Sequence, residues 1–180
     1  MFPRMAGIDE SIEFRPLRIA VVTVSDTRTE ANDRSGAALV ARAEADGHEV
    51  VSKQIVKDDR AAIEAALLPL IASKEVDVVI ATGGTGVTGR DVTPETFESL
   101  YDKPIPGFGE LFRMLSYQTI GTATIQSRAT AGVSDGTFLF ALPGSTGACE
   151  EAWDGILRSQ LDIRYRPCNF AELMPRMRER

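Results

Sequence analysis

Thr82-Gly83-Gly84-Thr85-Gly86, followed closely by Arg90-Asp91-Val92-Thr93-Pro94-Glu95, carries the residue types and spacing best suited to chemistry in this chain. Glycines directly after a strand let backbone N–H groups approach a ligand, because no Cβ obstructs them. Such a loop can cradle a phosphate. Asp91 lies only a few residues on, and a carboxylate beside a phosphate is repulsive unless a divalent cation sits between them. The pattern points to phosphate plus metal. The competing reading is a tight structural turn, with Asp91 a solvated loop charge. Arg90 and Arg128 suit phosphate, although each could equally be a surface charge.

These residues need a scaffold, and the hydrophobic pattern supplies one. Leu17–Val24 and Val76–Thr82 are apolar runs suited to buried parallel strands, and His48–Val56 and Thr137–Leu142 read as two more. Asp33 is a candidate N-cap for a helix through Asp46, closed by Gly47. Asp58 or Asp59 can cap the next helix, with Ile63, Leu67, Leu70 and Ile71 on one face and a kink or early end expected at Pro69. Thr93 reads as an N-cap with Pro94 at the first helical position, for a helix to about Tyr101. Gly107–Gln118 is amphipathic, with Phe108, Leu111, Phe112 and Leu115 on one face, either as core or as a contact between subunits. Pro143-Gly144-Ser145-Thr146 leads into a helix through about Gln160.

Alternating strands and helices predict an α/β fold with a mostly parallel sheet covered on both faces. In such sheets ligands bind beyond the carboxyl ends of the strands. Ser25-Asp26, Thr82–Gly86 and Gly144-Ser145-Thr146 all follow strands and should converge on one rim. Ser145 can cap its helix, and a helix N-terminus also favours an anion. Residues 1–16 read as an extended arm, 17–163 as the α/β domain and 164–180 as a tail that wraps the surface.

The inventory excludes several chemistries. A net charge of −6 argues against broad nucleic-acid or membrane-surface binding. Two cysteines, Cys149 and Cys168, and one histidine, His48, cannot form a Cys/His zinc set. A Ser-His-Asp triad would need His48, which sits in the turn after a helix. The cysteines are expected to be reduced and structural. Gly84–Gly89 satisfies G-x-G-x-x-G, but it follows the third strand and the helix starts beyond it, so a dinucleotide site is not supported. No P-loop occurs, and Gly144–Gly147 has the wrong spacing for a nucleophile elbow. No segment has signal-peptide or membrane-span character, so a cytoplasmic protein is expected.

The ordered motifs together resemble the MoaB/MogA family of molybdenum cofactor biosynthesis proteins. The matching segments are Val24-Ser25-Asp26, Asp33–Gly36, Thr82–Gly86, Arg90–Glu95, Pro106–Glu110, Ser127-Arg128-Ala129 and Leu142-Pro143-Gly144-Ser145. Phe112–Ser116 and Arg166–Phe170 look closest to the MoaB branch. The resemblance covers about residues 16–170. It implies a three-layer α/β/α fold that binds molybdopterin, and an adenylyltransferase reaction in which Mg-ATP and molybdopterin give adenylyl-molybdopterin and pyrophosphate. The catalytic and Mg²⁺-holding aspartates map to Asp91 and to Asp58 of Lys57-Asp58-Asp59, where Lys57 replaces the family's usual proline. Ser25, Asp26, Thr82, Gly83, Gly84, Thr85, Gly86, Arg90, Ser127, Arg128, Pro143, Gly144 and Ser145 would bind substrate and its phosphate. The resemblance also implies a homotrimer or homohexamer, with a molybdenum insertase as a possible partner and either molybdenum or tungsten as the metal served. The alternative is a molybdopterin-binding carrier without turnover.

Overall fold

The computed structural model describes residues 6–177 and 179; residues 1–5 of the expected arm, and Arg178 and Arg180 of the tail, lie outside the described residues. In chain order the strands are β1 (Gly7–Ile8), β2 (Arg18–Val24), β3 (Glu49–Val56), β4 (Val78–Thr82), β5 (Lys103–Pro104), β6 (Thr130–Ser134), β7 (Thr137–Leu142) and β8 (Tyr165–Arg166). The helices are α1 (Arg34–Ala45), α2 (Arg60–Ala72), α3 (Thr93–Leu100), α4 (Pro106–Ile120), α5 (Thr146–Ala152), α6 (Arg158–Gln160) and α7 (Phe170–Leu173). A π-helical stretch, Trp153–Leu157, joins α5 to α6, and a 3₁₀ stretch, Gly121–Gln126, follows α4.

Six strands form the central sheet in the order β3-β2-β4-β7-β6-β5. The first four run parallel, while β6 is antiparallel to β7 and β5 to β6. Successive side chains on a strand point to opposite faces, so each buried strand feeds two cores. Ile19 and Val21, Val78 and Ile80, and Phe138 and Phe140 face one side, where they join Leu39 of α1, Phe112 of α4 and Trp153. Ala20 and Val22, Val79 and Ala81, and Leu139 and Ala141 face the other, against Ile63, Leu67 and Ile71 of α2 and Phe97 of α3. This is the expected three-layer α/β/α arrangement with a mostly parallel sheet. The larger residues lie on the first face, and each fully buried Leu, Ile or Phe contributes about 1.5–3 kcal/mol. Trp153 satisfies its only polar atom by donating from Nε1 to Asp46 Oδ2 at 2.7 Å.

Some local expectations change. Asp59, not Asp58, caps α2, accepting from the Ala62 N–H at 3.0 Å. The helix runs through Pro69 and ends one turn later at Ala72, since proline removes only the bond to a carbonyl one turn back. Thr93 is not an N-cap: Val92 takes that position, and the Thr93 N–H donates to the Gly84 carbonyl at 3.1 Å. On α4, Phe108 and Phe112 are core and Leu115 packs against it, while Leu111 turns outward. That face is core packing, not a free contact surface. Cys149 is buried, but Cys168 is exposed, so only the first has a packing role. Among the described residues no helix is long and apolar enough to cross a membrane. Near the chain's start, β1 pairs antiparallel with β8, and the ring of Phe170 in α7 lies tilted with its centre 4.9 Å from that of Phe138.

Candidate active site

The parallel register places the ends of β2, β4 and β7 side by side, so the loops after Val24, Thr82 and Leu142 emerge on one rim, with the loop after β3 beside them. Backbone bonds stitch them together. The Gly83 N–H donates to the Leu142 carbonyl at 3.0 Å, and the Ser25 N–H to the Val56 carbonyl at 2.9 Å. Thr82 donates its hydroxyl to the Pro143 carbonyl at 2.9 Å, which ties the glycine loop to the Pro143-Gly144-Ser145 loop. Gly144 approaches so closely that a Cβ on it would lie 3.3 Å from Gly83 Cα.

Gly83 and Gly84 have φ of 108° and 66°, in the region only glycine enters freely. A Cβ on Gly83 would collide with the Val24 carbonyl oxygen, and one on Gly84 with Thr93 Oγ1, with Asp58 Oδ1 at 2.9 Å. These glycines therefore make room for the protein itself. The N–H groups of Gly84 and Thr85 find no acceptor among the described residues, and neither do those of Thr146 and Gly147 in the first turn of α5. Ser145 caps that turn, accepting from the Ala148 N–H at 3.2 Å. Two sets of free amides thus flank one rim.

The carboxylates behave unequally. Asp91 accepts from the Thr88 N–H at 2.8 Å and the Thr88 hydroxyl at 2.6 Å. Burial works to raise its proton affinity, but the bonds from Thr88 and Gly86 and the charge of Arg128 outweigh it and hold Asp91 below the usual range. Asp58 is the opposite case. Its Oδ1 is fully buried without a hydrogen-bond partner among the described residues, as is Thr93 Oγ1. Burial pushes the Asp58 carboxyl up, and the negative charges of Asp91 and Asp26 push it further. An unpaired buried carboxylate oxygen is costly, which marks Asp58 as a group awaiting a partner.

Asp26 pairs with Arg90, which holds its carboxyl low, and it accepts from the Asp58 N–H at 3.2 Å. Ser25 turns its hydroxyl to the N–H groups of Thr27 and Arg28, both at 3.2 Å, and so shapes its own loop. Arg128 directs its guanidinium to the Gly86 carbonyl at 2.7 Å, the Asp91 carbonyl at 2.8 Å and the Glu95 carboxylate. It braces the loop that carries Asp91. Ser127 lies beside it, with its hydroxyl accepting from the Ala129 N–H at 3.4 Å. Motif reading gave Thr88 and Glu95 no role in the site, and gave Thr93 only that of a cap. Glu95 and Thr93 stand inside the quoted Arg90–Glu95 motif, and Thr88 sits three residues before Asp91, the spacing of a side chain closing its own loop.

Two cavities flank Arg128. One, about 500 Å³, is lined by Thr88, Asp91 and Glu95, with Arg60 opposite. The other, about 680 Å³, lies between α3, α4 and β6. No group of three or more His, Cys, Asp or Glu suited to a metal occurs among the described residues. Asp58 and Asp91 would hold Mg²⁺ only with phosphate oxygens completing its shell, which is how this ion commonly binds. The orphaned Asp58 oxygen fits that role.

A family described as "Probable molybdopterin binding domain" matches residues 20–162. Molybdenum cofactor biosynthesis protein B of Escherichia coli (strain K12) is 54% identical over 160 residues, covering 89% of this chain and 94% of that protein. A crystal structure of molybdenum cofactor biosynthesis protein B superposes with a TM-score of 0.83 at 40% identity, covering 92% of this chain and 98% of the other. The tungsten cofactor synthesizing protein MoaB from Pyrococcus furiosus gives 0.76 at 35% identity, covering 92% and 99%.

Proposed function

Because the chain belongs to the molybdopterin-binding domain family of molybdenum cofactor biosynthesis proteins, we propose that it adenylylates molybdopterin from ATP. A terminal phosphate oxygen of molybdopterin attacks the α-phosphorus of ATP. A P–O–P bond forms, the bond from the α-phosphorus to the bridging oxygen breaks, and pyrophosphate leaves with that electron pair. The nucleophile is already ionised at neutral pH, so no histidine base is required. Positioning and charge offset supply the catalysis in such transfers.

The observation that carries this reading is the buried, unpartnered Oδ1 of Asp58 on the rim that also holds the free amides of Gly84 and Thr85. In the proposal, the amides of Gly84, Thr85, Thr146 and Gly147 receive phosphate oxygens, helped by the N-terminus of the α5 helical path. Asp58 and Asp91 face the triphosphate. Mg²⁺ bound between these carboxylates and the phosphates would neutralise charge that builds as the two polyanions meet. Arg128 acts from behind, holding the Gly86–Asp91 loop still, while Arg90 and Asp26 line the entrance as an ion pair. Ser25, Ser127, Pro143 and Ser145 shape the loops around the bound phosphate.

The test is pyrophosphate release by the purified protein with ATP, Mg²⁺ and molybdopterin, each omitted in turn. Release requiring all three supports the transferase. Binding of molybdopterin without release supports the second reading, a carrier. The engagement of the Asp91 carboxylate by Thr88 favours that reading, because a committed carboxylate is less free to hold a cation. For assembly, we propose a homotrimer or homohexamer joined through the exposed Met114, Tyr117, Ile120 and Ile125 of α4 and the following 3₁₀ turn. Sedimentation of the wild type and of Tyr117→Glu tests it. Hand-over to a molybdenum insertase would follow release.

A further inference from the structure

Two of the rim's phosphate-like donors are already engaged, and their partners are carboxylates. At the tip of the loop between Gly86 and Asp91, the Thr88 N–H and hydroxyl both donate to Asp91 Oδ2, at 2.8 and 2.6 Å. At the same tip the Arg90 guanidinium is held by Asp26, which stands on the loop after β2. Carboxylate and phosphate offer such donors the same kind of charged acceptor oxygen. Asp91 and Asp26 therefore occupy places that phosphate oxygens could take.

The loop is built to change partners at its tip and not at its base. Arg128 donates to the Gly86 carbonyl at 2.7 Å and to the Asp91 carbonyl at 2.8 Å, and so fixes both feet. Between them, residues 87–90 are all exposed. Among the described residues, the backbone of Val87, Gly89 and Arg90 makes no hydrogen bond. Nothing described lies within 4 Å of the point where a Cβ on Gly89 would sit. Val87 leaves an apolar side chain 65% exposed on this tip. The two carboxylates hold the tip, together with one turn bond from the Asp91 N–H to the Thr88 carbonyl at 3.1 Å.

We infer that Thr88 and Arg90 form a latch that exchanges partners when a cation-bound polyphosphate enters: their donors pass from the two carboxylates to phosphate oxygens, and Asp91 is released to face the cation. A bare polyphosphate would meet Asp26, Asp58 and Asp91 as like charges. A bare cation would meet an Asp91 already engaged by Thr88. Either one alone breaks contacts without replacing them. Together, each charge-assisted bond that breaks is replaced by another. The latch thus admits the two as a pair, and by linkage each raises the affinity of the other by the same factor. The inference rests on Mg-ATP being a substrate; it does not require that the protein turn it over.

The probes are Mn²⁺ in place of Mg²⁺, read from loss of the free ion's electron paramagnetic resonance signal, and ATP, read by calorimetry. Thr88→Val removes the hydroxyl and keeps the N–H. Mn²⁺ alone should then bind about tenfold tighter, because Asp91 is partly released. ATP with Mn²⁺ should bind about tenfold weaker, because a phosphate donor is gone; both follow the scale of one hydrogen bond to a charged group. Asp26→Asn keeps an oxygen for the Asp58 N–H, frees Arg90, and should tighten metal-free ATP by about the same factor. Thr88→Ser retains the hydroxyl and should behave as wild type, which separates loss of the donor from damage to the loop.

Opposite signs in Thr88→Val are the signature of exchange, since a merely structural Thr88 would move both affinities one way or neither. Changes of the same sign, or unchanged metal-free ATP affinity in Asp26→Asn, overturn the inference. A wild type that binds no ATP overturns it together with the transferase reading. Opposite signs in a protein that releases no pyrophosphate with molybdopterin support the exchange and defeat the transferase reading alone.

Discussion

Asp33 and Asp58 occupy matching places and have opposite fates. Each sits in the loop after a parallel strand, at or next to the N-terminus of the helix that follows. Asp33 is saturated. It accepts from the Gly36 N–H at 3.0 Å and the Thr23 hydroxyl at 2.8 Å, and pairs with Lys53 at 3.0 Å. Burial would raise its proton affinity, yet Lys53, Gly36 and Thr23 together hold it below the usual range. Asp58 leaves the capping to its neighbour Asp59 and keeps one buried oxygen unmet. Asp33 spends its carboxylate on the scaffold, whereas Asp58 keeps an oxygen available to a ligand.

The sharpest way to break this contrast is kinetic. Asp58→Ala and Asp91→Ala should each lower the turnover of molybdopterin adenylylation by about 10²–10³, the scale for losing one preorganised charge contact. Asp33→Ala should leave turnover of the folded protein within a few-fold. Pyrophosphate release measures all three. If the Asp33 variant is the slow one, the assignment is inverted.

Stability should run the other way. Asp33→Ala leaves the Thr23 hydroxyl and the first turn of α1 without their acceptor and leaves Lys53 with Glu30 alone, and should cost about 2–3 kcal/mol, or roughly 4–10 °C in Tm. Asp58→Asn removes an uncompensated charge and should raise Tm by about 2–4 °C in metal-free buffer while abolishing efficient turnover. Thermal melts of both variants beside wild type show whether the two signs differ.

A smaller effect lies in the pH dependence. The folded Asp33 binds its proton less readily than the unfolded chain, so its contribution is complete above the unfolded value of about 3.9. It is lost as pH falls through the lower folded value. Asp162, held low against burial by Arg164, has the same sign. Asp58 is reversed: its raised folded value means stability declines as pH rises from the unfolded value through the folded one. Urea melts between about pH 3 and 6 should show a shallower acid loss in Asp33→Ala and a flatter upper limb in Asp58→Asn.

Much of this scaffold is readable from the chain alone, because β2, β4 and β7 are unbroken apolar runs with turn residues at their ends. The antiparallel edge was not. β6 reads Thr-Ala-Gly-Val-Ser, too small and mixed to announce a strand, and β5 is only two residues long. Gly132 looks like a breaker in sequence; in space it makes room for the Tyr101 ring. The glycine loop and its aspartates stand out by type and spacing. What spacing could not reveal is which donors are already engaged. Arg128 has the side chain of a phosphate ligand, yet its bonds go to two carbonyls and Glu95. Thr93 has the side chain of a cap, yet its hydroxyl is buried without a partner.

The backbone at Gly83 also has a hereditary consequence. Every one-base change in a glycine codon that alters the amino acid introduces a Cβ or a stop. At Gly83 that Cβ would meet the Val24 carbonyl oxygen on a backbone with φ of 108°. Neither obstacle involves a flexible side chain that could swing aside. The position therefore has no neutral neighbours in mutational space. A chain carrying any replacement there must also reshape β2 or the loop after β4 in the same step, so this part of the rim can be lost by drift but not gradually remodelled.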